Sequence, residues 1–258
     1  MTETERICGQ LQKCAPMAKE EIGGKEVQAF LQSPEREWMM KGQRYYENHG
    51  DILERRRWVI GENGLPKEDR TLANCRIAHG FVRKLVDQKC QYLFGRPFTI
   101  RTENPDFERE LSGFFGREMR NRMKNLCKEA VNKGIAWLAA YVEDGELRFS
   151  KIPSEQVVPL WADEEHTRLD GVIRVFSREE FVGRDKKEAV RAEYWHKNGV
   201  DRYLYKDGTL IADPEEWGNS HLTIDGKPYN FEEIPFIPFK YNEEEMPLLR
   251  FIKPLADD

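Results

Sequence analysis

Residues 85–97 read Leu85-Val86-Asp87-Gln88-Lys89-Cys90-Gln91-Tyr92-Leu93-Phe94-Gly95-Arg96-Pro97. The apolar residues up to Phe94 recur at helical spacing, and a glycine just past such a pattern is a common helix stop. A proline cannot continue the helix and favours an extended backbone. The run therefore predicts the end of a buried amphipathic helix, then a strand that begins near Pro97.

The same pattern extends upstream and predicts a helix from about Cys75 to Phe94, with Asn74 as its N-cap. On a helical wheel one half of the circumference is apolar. The residues on that half are Ile77, Ala78, Phe81, Val82, Leu85, Val86, Tyr92 and Leu93. A stripe this wide predicts a helix packed deep against the core. Lys89 falls within it, and we expect its amine to reach solvent near the helix end or to pair with a buried carboxylate.

The N-terminal part is predicted to be helical after a polar arm. Residues 1–24 are polar and end in Gly23-Gly24, which favours a mobile arm, with at most a short helical piece. A helical pattern then begins at Glu26, and Ser33-Pro34 either breaks it or starts a second helix. Gly50 followed by Asp51 predicts a stop and then a short helix.

Between Pro97 and Gly134 the chain is predicted to form one strand and two helices. Residues 98–102 alternate in polarity, as in a strand, and Asn104-Pro105 opens a helix to about residue 115. A second helix is expected over 117–132, ended by Gly134.

After Gly134 the hydrophobic period changes from 3.6 to 2, which indicates strands. Asp144-Gly145 and the Asp207-Gly208 pair are hairpin turns. The expected strands cover 135–142, 146–151, 157–161, 172–177, 189–196, 201–205, 210–211 and 234–240. Helices first and a mostly antiparallel, meander-rich sheet second define an α+β fold. Helix 75–94 and strand 135–142 are expected to form its core.

The last segment, residues 243–258, is acidic and then apolar, with Asn242 as a plausible N-cap. It predicts the beginning of a longer helix whose apolar residues Leu248, Leu249, Phe251 and Ile252 are exposed and sticky.

Composition excludes several classes of protein. Of 258 residues 39% are hydrophobic, enough for one sizeable core, and the net charge of −5 does not mark the whole chain as a nucleic-acid binder. No apolar run reaches the length of a membrane span, and the acidic, polar start has no secretory pattern, so we expect action in a cytoplasm. The five cysteines fit no zinc spacing and are expected to be reduced thiols.

Catalytic chemistry has one candidate segment, Asp163-Glu164-Glu165-His166. These side chains could share a cation, but the segment falls between two predicted strands and is more simply a solvated turn. His196-Lys197-Asn198-Gly199 likewise favours a turn over a nuclease motif. Nucleotide-binding loops and nucleophile elbows are absent from the sequence, so we expect neither a cofactor nor an enzyme.

Two basic clusters are candidate contact sites. Arg117, Arg120, Lys124 and Lys128 lie within about 80° of one helix face. They suit a solvated face, a contact with an acidic neighbouring subunit, or a nucleic-acid backbone. Arg55-Arg56-Arg57, beside Trp58, leaves the same alternatives open.

Five segments, in this order and with this spacing, resemble the SPP1-type portal proteins of tailed bacteriophages. They are Tyr45–Leu53, Leu85–Pro97, Gly134–Tyr141, Ile152–Trp161 and Ile234–Glu245. The resemblance implies a flexible arm over 1–24, a wing-like α+β domain over 25–242 and the start of a truncated stem helix over 243–258. The family's clip, second stem helix, tunnel loop and crown have no counterpart in the sequence.

The resemblance also implies a non-enzymatic subunit of a usually dodecameric ring at the capsid vertex, without cofactor or membrane. Double-stranded DNA passes through such a ring. The terminase large subunit, head-completion proteins, scaffold and major capsid protein bind to it. The protein would belong to the virion and, during assembly, to the host bacterial cytoplasm. The alternatives are a cytoplasmic nucleic-acid-binding module using the 117–128 face, and a metal-dependent hydrolase built on residues 163–166.

Overall fold

The computed structural model describes residues 16–143, 145–182, 185–213, 220–224 and 226–257. Within them the helices are α1 (Pro16–Leu31), α2 (Pro34–Tyr46), α3 (Phe81–Phe94), α4 (Pro105–Phe114), α5 (Arg117–Lys133) and α6 (Leu248–Ala256). The strands are β1 (Trp58–Ile60), β2 (Pro66–Glu68), β3 (Ile135–Glu143), β4 (Glu146–Ile152), β5 (Val157–Trp161), β6 (Leu169–Val182), β7 (Asp185–His196), β8 (Gly199–Lys206), β9 (Thr209–Ala212), β10 (Leu222–Ile224), β11 (Lys227–Tyr229) and β12 (Phe236–Lys240). The predicted α+β class is confirmed.

The chain divides into two compact units. The sheet unit comprises residues 1–37 and 136–239, and the helical unit comprises residues 38–135 and 240–258. In the sheet unit, β5 to β9 form a five-stranded antiparallel meander, and β3 lies between β12 and β4 in a second sheet. The predicted meander is therefore confirmed. Strands β6 and β7 are longer than the predicted strands 172–177 and 189–196.

Helix α1 corrects the expected boundary at Glu26, because it begins at Pro16 and runs through Gly23 and Gly24, the expected end of the arm. A Cβ on Gly23 would come within 2.8 Å of Leu210 Cδ1, and one on Gly24 within 2.5 Å of the Gly208 carbonyl oxygen. The two glycines therefore allow the helix backbone to lie close to the β8–β9 hairpin. The first fifteen residues of the predicted arm lie outside the described part of the chain.

Val27 anchors α1, since its side chain is fully buried in the sheet-unit core with Ile173 and Leu210. We expect Val27→Ala to lower the free energy of unfolding by about 2 kcal/mol, from two lost methyl-sized groups and the cavity they leave. Lys25→Ala is the matched control, because Lys25 forms only an exposed pair with Glu21 and should change stability by less than about 0.5 kcal/mol. Urea denaturation measures both. Equal losses of stability in the two variants would contradict the packing of α1 against the core of the sheet unit.

The junction of α1 and α2 confirms that Ser33-Pro34 starts a second helix. Ser33 Oγ accepts a hydrogen bond from Arg36 N at 3.1 Å, and Pro34 takes the first helical position, where no N–H is needed. Asp51–Glu54 forms the expected short helix, of the 3₁₀ type.

Helix α3 departs from its prediction in two ways. It begins at Phe81, not after Asn74, whose side chain instead donates to the Arg55 carbonyl oxygen at 2.8 Å. Its buried face is narrow, with Val82, Val86 and Cys90 at most 2% exposed. Five of the eight residues of the predicted apolar stripe are exposed, and the expected deep packing of the whole stripe was wrong.

The segment after α3 also differs from expectation, because residues 98–102 form no strand. The next helix, α4, confirms its Asn104 cap, since Asn104 Oδ1 accepts from Asp106 N and Phe107 N. Helix α5 spans the expected residues, and Gly134 ends it with a φ of +90°.

Helix α6 packs into the helical unit, which corrects the expectation that its apolar residues are all exposed. Leu248 is 7% and Leu249 1% exposed, in one cluster with Val82 and Val86, whereas Phe251 remains 61% exposed. Asn242 does not cap this helix. Its side-chain amide instead bonds both the N–H and the carbonyl oxygen of Met246, and this closes the preceding loop.

Candidate functional site

The predicted basic stripe lies on α5 but does not act as one surface. Arg117 is exposed, and Arg120 and Lys124 are half-buried. In the described part of the chain, no ion pair engages these three side chains. Lys128 differs, because its Nζ lies 2.6 Å from Asp87 Oδ1 on α3.

The Lys128–Asp87 pair is one part of a polar contact among three helices. Tyr46 OH, on α2, donates to Asp87 Oδ1 at 3.1 Å. Burial alone would raise the pKa of Asp87, but hydrogen bonds from Lys128 and Tyr46 outweigh it and lower that pKa. The hydrogen bond to Asp87 raises the pKa of Lys128 against the opposing effect of burial. Lys128 thus takes part in the contact among the three helices, and its side chain remains 32% exposed.

A second polar cluster fastens α6 to α2. Asp51 pairs with Arg44 and, at 2.8 Å, with Lys253 Nζ on α6. Tyr45 OH donates to Asp257 Oδ1 at 2.6 Å. Burial would raise the pKa of Asp51, yet hydrogen bonds from Lys253 and Arg44 lower it to about 2. Sequence reasoning missed this cluster, because its members are far apart along the chain and only the fold brings them together.

Acid is expected to weaken this cluster. A carboxylate whose pKa is depressed contributes stability above its unfolded pKa near 3.8 and loses it as the pH falls through about 2. The native protein should therefore exceed Asp51→Asn in stability at neutral pH, by about 1 kcal/mol or less because the side chain is 40% exposed. The gap should close between about pH 4 and about pH 2. Urea midpoints across that range measure it, and a constant gap would contradict the assignment.

Arg55, Arg56 and Arg57 precede the β1–β2 hairpin. Arg56 Nη1 is 3.9 Å and Arg70 Nη2 is 3.7 Å from Glu68 Oε2. Arg56 and Arg57 border a cleft of about 410 Å³. Its walls are formed by Arg56, Arg57, Glu68, Asp69, Arg70, Leu72, Asn74 and Arg76. Four arginines against two carboxylates make this cleft cationic, whereas Arg55 lies outside it.

Residues 163–166 form a hydrogen-bonded turn. The Asp163 carboxylate accepts from Thr167 N at 2.7 Å and from Arg168 N at 2.8 Å, and hydrogen bonding by the Thr167 backbone lowers its pKa. The His166 ring stacks on Trp161 at 4.9 Å. Over the residues that the structure describes, no three metal-ligating side chains come together.

Cys90 and Cys127 meet between α3 and α5, and Cys75 is exposed; all three are free thiols. Contact with Cys127, together with burial, raises the pKa of Cys90. Cys8 and Cys14 lie outside the described residues. Among the helices of the described ranges, none is long and apolar enough to cross a membrane.

The chain belongs to the phage portal protein family of the SPP1 Gp6-like kind, whose family model matches residues 33–258. It is 29% identical over 236 residues to the portal protein of Bacillus phage SPP1, across 90% of this chain and 46% of that protein. It is 26% identical to the portal protein of Clostridium phage phiCD119, across 86% of this chain and 50% of that protein. The chain spans about half the length of these curated relatives.

Proposed function

We propose that this chain is a structural subunit, or part of one, of the portal ring at a phage capsid vertex. The match of residues 33–258 to the portal family supports this role most strongly. The ring would assemble from copies of the chain and let double-stranded DNA pass during packaging and ejection. In this proposal the 25–242 region serves as the wing, 243–258 as the start of the stem helix, and residues 1–24 as a terminal segment that includes the first part of α1.

The proposed partners follow from the role. A portal subunit would bind the terminase large subunit during packaging, head-completion proteins afterwards, and scaffold and major capsid proteins at its periphery. It would hydrolyse nothing itself and need no cofactor. It would assemble in the host bacterial cytoplasm and remain in the virion.

Quantitative peptide mass spectrometry of purified particles from the source strain tests this role. We expect peptides of this chain in DNA-filled heads, at about a dozen copies for each capsid, the number implied by the usually dodecameric rings of the family. Heads that form and fill without the chain would contradict the proposal.

Arg117, Arg120, Lys124 and Lys128, together with Arg55, Arg56 and Arg57, stay predicted contact residues. The nucleic-acid-binding alternative would need the 117–128 face to contact phosphates, and Lys128 is already engaged by Asp87. Arg120→Glu with Lys124→Glu tests that alternative. A salt-dependent affinity for duplex DNA that the double variant loses would support it, and equal binding by both proteins would exclude it.

A further inference from the structure

Helix α3 has an exposed outer face, whose apolar residues were predicted from the sequence to lie in the core. We define it as Phe81, Lys84, Leu85, Gln88 and Tyr92, which lie within about 100° of the helix circumference. Phe81 is 52%, Leu85 36% and Tyr92 91% exposed. The buried residues Val82, Val86 and Cys90 occupy a separate sector that begins about 60° from Leu85, so this face lies outside the core of the helical unit.

Such a face suits a protein partner. Three large apolar or aromatic side chains form its centre, and exposed aromatic residues of this kind commonly supply the binding energy of protein interfaces. A nucleic-acid surface would instead present several cations, and Lys84 is the one basic residue within the face.

The stretch of sequence that contains this face is basic. Residues 76–101 hold six arginines and lysines and one acidic residue, Asp87, whose carboxylate is paired with Lys128 at 2.6 Å. The whole helical unit has 23 basic and 18 acidic residues, a formal charge of +5. The sheet unit has 18 basic and 28 acidic residues, a formal charge of −10. One chain thus carries two units of opposite charge.

A closed ring needs a heterologous contact, in which one patch of each subunit meets a different patch of the next. The opposite net charges of the two units favour contact between unlike units of neighbouring copies, and so a repeated head-to-tail orientation. Resting on the portal role proposed above, we propose that the outer face of α3 docks on the acidic sheet unit of a second copy of this chain.

Sedimentation equilibrium of the full 258-residue chain tests the contact. Wild type should self-associate in about 50 mM salt and more weakly in about 500 mM, where the charges are screened. Leu85→Glu with Tyr92→Glu should weaken self-association at least about tenfold, since it places two carboxylates at the centre of the face. The matched control is Ile60→Glu, another exposed apolar residue of the helical unit, at 82% exposure, which should associate like wild type.

Three results would overturn the inference. They are equal association by the face variant and wild type, an equal loss in the Ile60→Glu control, and a wild-type chain that stays monomeric at about 200 μM in low salt. Binding of a duplex DNA probe that only the face variant loses would assign the face to nucleic acid instead. Failure here is distinguishable from failure of the portal role. If particles assembled with the Leu85→Glu and Tyr92→Glu chain still contain it in normal amount, the docking face is wrong and the portal role stands.

Discussion

Gly134→Ala is expected to lower the free energy of unfolding by about 3–5 kcal/mol, from backbone strain and overpacking together. Gly134 joins α5 to β3 at a φ of +90°, which side chains rarely adopt. A Cβ there would stand 1.9 Å from the Glu245 carbonyl oxygen, and this oxygen is backbone and cannot swing aside. Gly134 also donates to Ala130 O at 2.7 Å and accepts from Tyr241 N at 2.8 Å, so its position is fixed from both sides.

Gly145→Ala is the matched control for Gly134→Ala. Gly145 has a similar φ of +76°, but an added Cβ would meet nothing within 4 Å. Gly145→Ala should therefore lower the free energy of unfolding only by the conformational strain of the added side chain, about 1–2 kcal/mol. The difference between the two variants in urea denaturation measures the close approach of the Glu245 loop. Equal losses would show that this loop yields, and that it does not hold the end of α5.

Trp137→Ala should destabilise the sheet unit by about 3–5 kcal/mol, the range found when large aromatic side chains are removed from a core. Trp137 is 1% exposed on β3, between β12 and β4, and its ring lies 5.9 Å from that of Trp161. The loss should include both the apolar burial and the contact between the two rings.

Trp58→Ala is the matched control for Trp137→Ala, because it removes an indole ring that is not in the core. Trp58, on β1, is 58% exposed and should change stability by less than about 0.5 kcal/mol. Thermal and urea unfolding followed by far-ultraviolet circular dichroism compare the two variants without relying on tryptophan fluorescence. Similar losses in both would contradict the placement of β3 at the centre of the unit.

Local signals in the sequence predicted much of the fold. The glycine stop at Gly134, the Asn104-Pro105 helix start and the change of period after Gly134 each depend on residues adjacent in sequence, and each is confirmed. The short β1–β2 and β10–β11 hairpins were not predicted, because their three-residue strands are too short to show a period.

Errors arose where a distant contact decides the structure. Gly23 and Gly24 were taken as the end of a mobile arm, but the nearby β8–β9 hairpin makes them packing residues within α1. The helical wheel of α3 correctly showed which residues are apolar, yet it could not show which neighbour covers them. Val82 and Val86 are covered by this chain, whereas Phe81 and Tyr92 are not.

The same limit applies to the candidate site. The 117–128 stripe was recognised from charge and spacing, but only the fold shows that Lys128 is bound to Asp87 while Arg117 remains exposed. The family resemblance, by contrast, depends on ordered segments of sequence, and the family match over residues 33–258 confirms it.

The native mass of the protein, expressed with any coding sequence that follows it in its genome, tests the portal role most directly. Multi-angle light scattering and negative-stain microscopy would measure it together. We expect closed rings of about a dozen subunits, with a central channel. A single monomeric species, or a small closed dimer that leaves no channel, would contradict it.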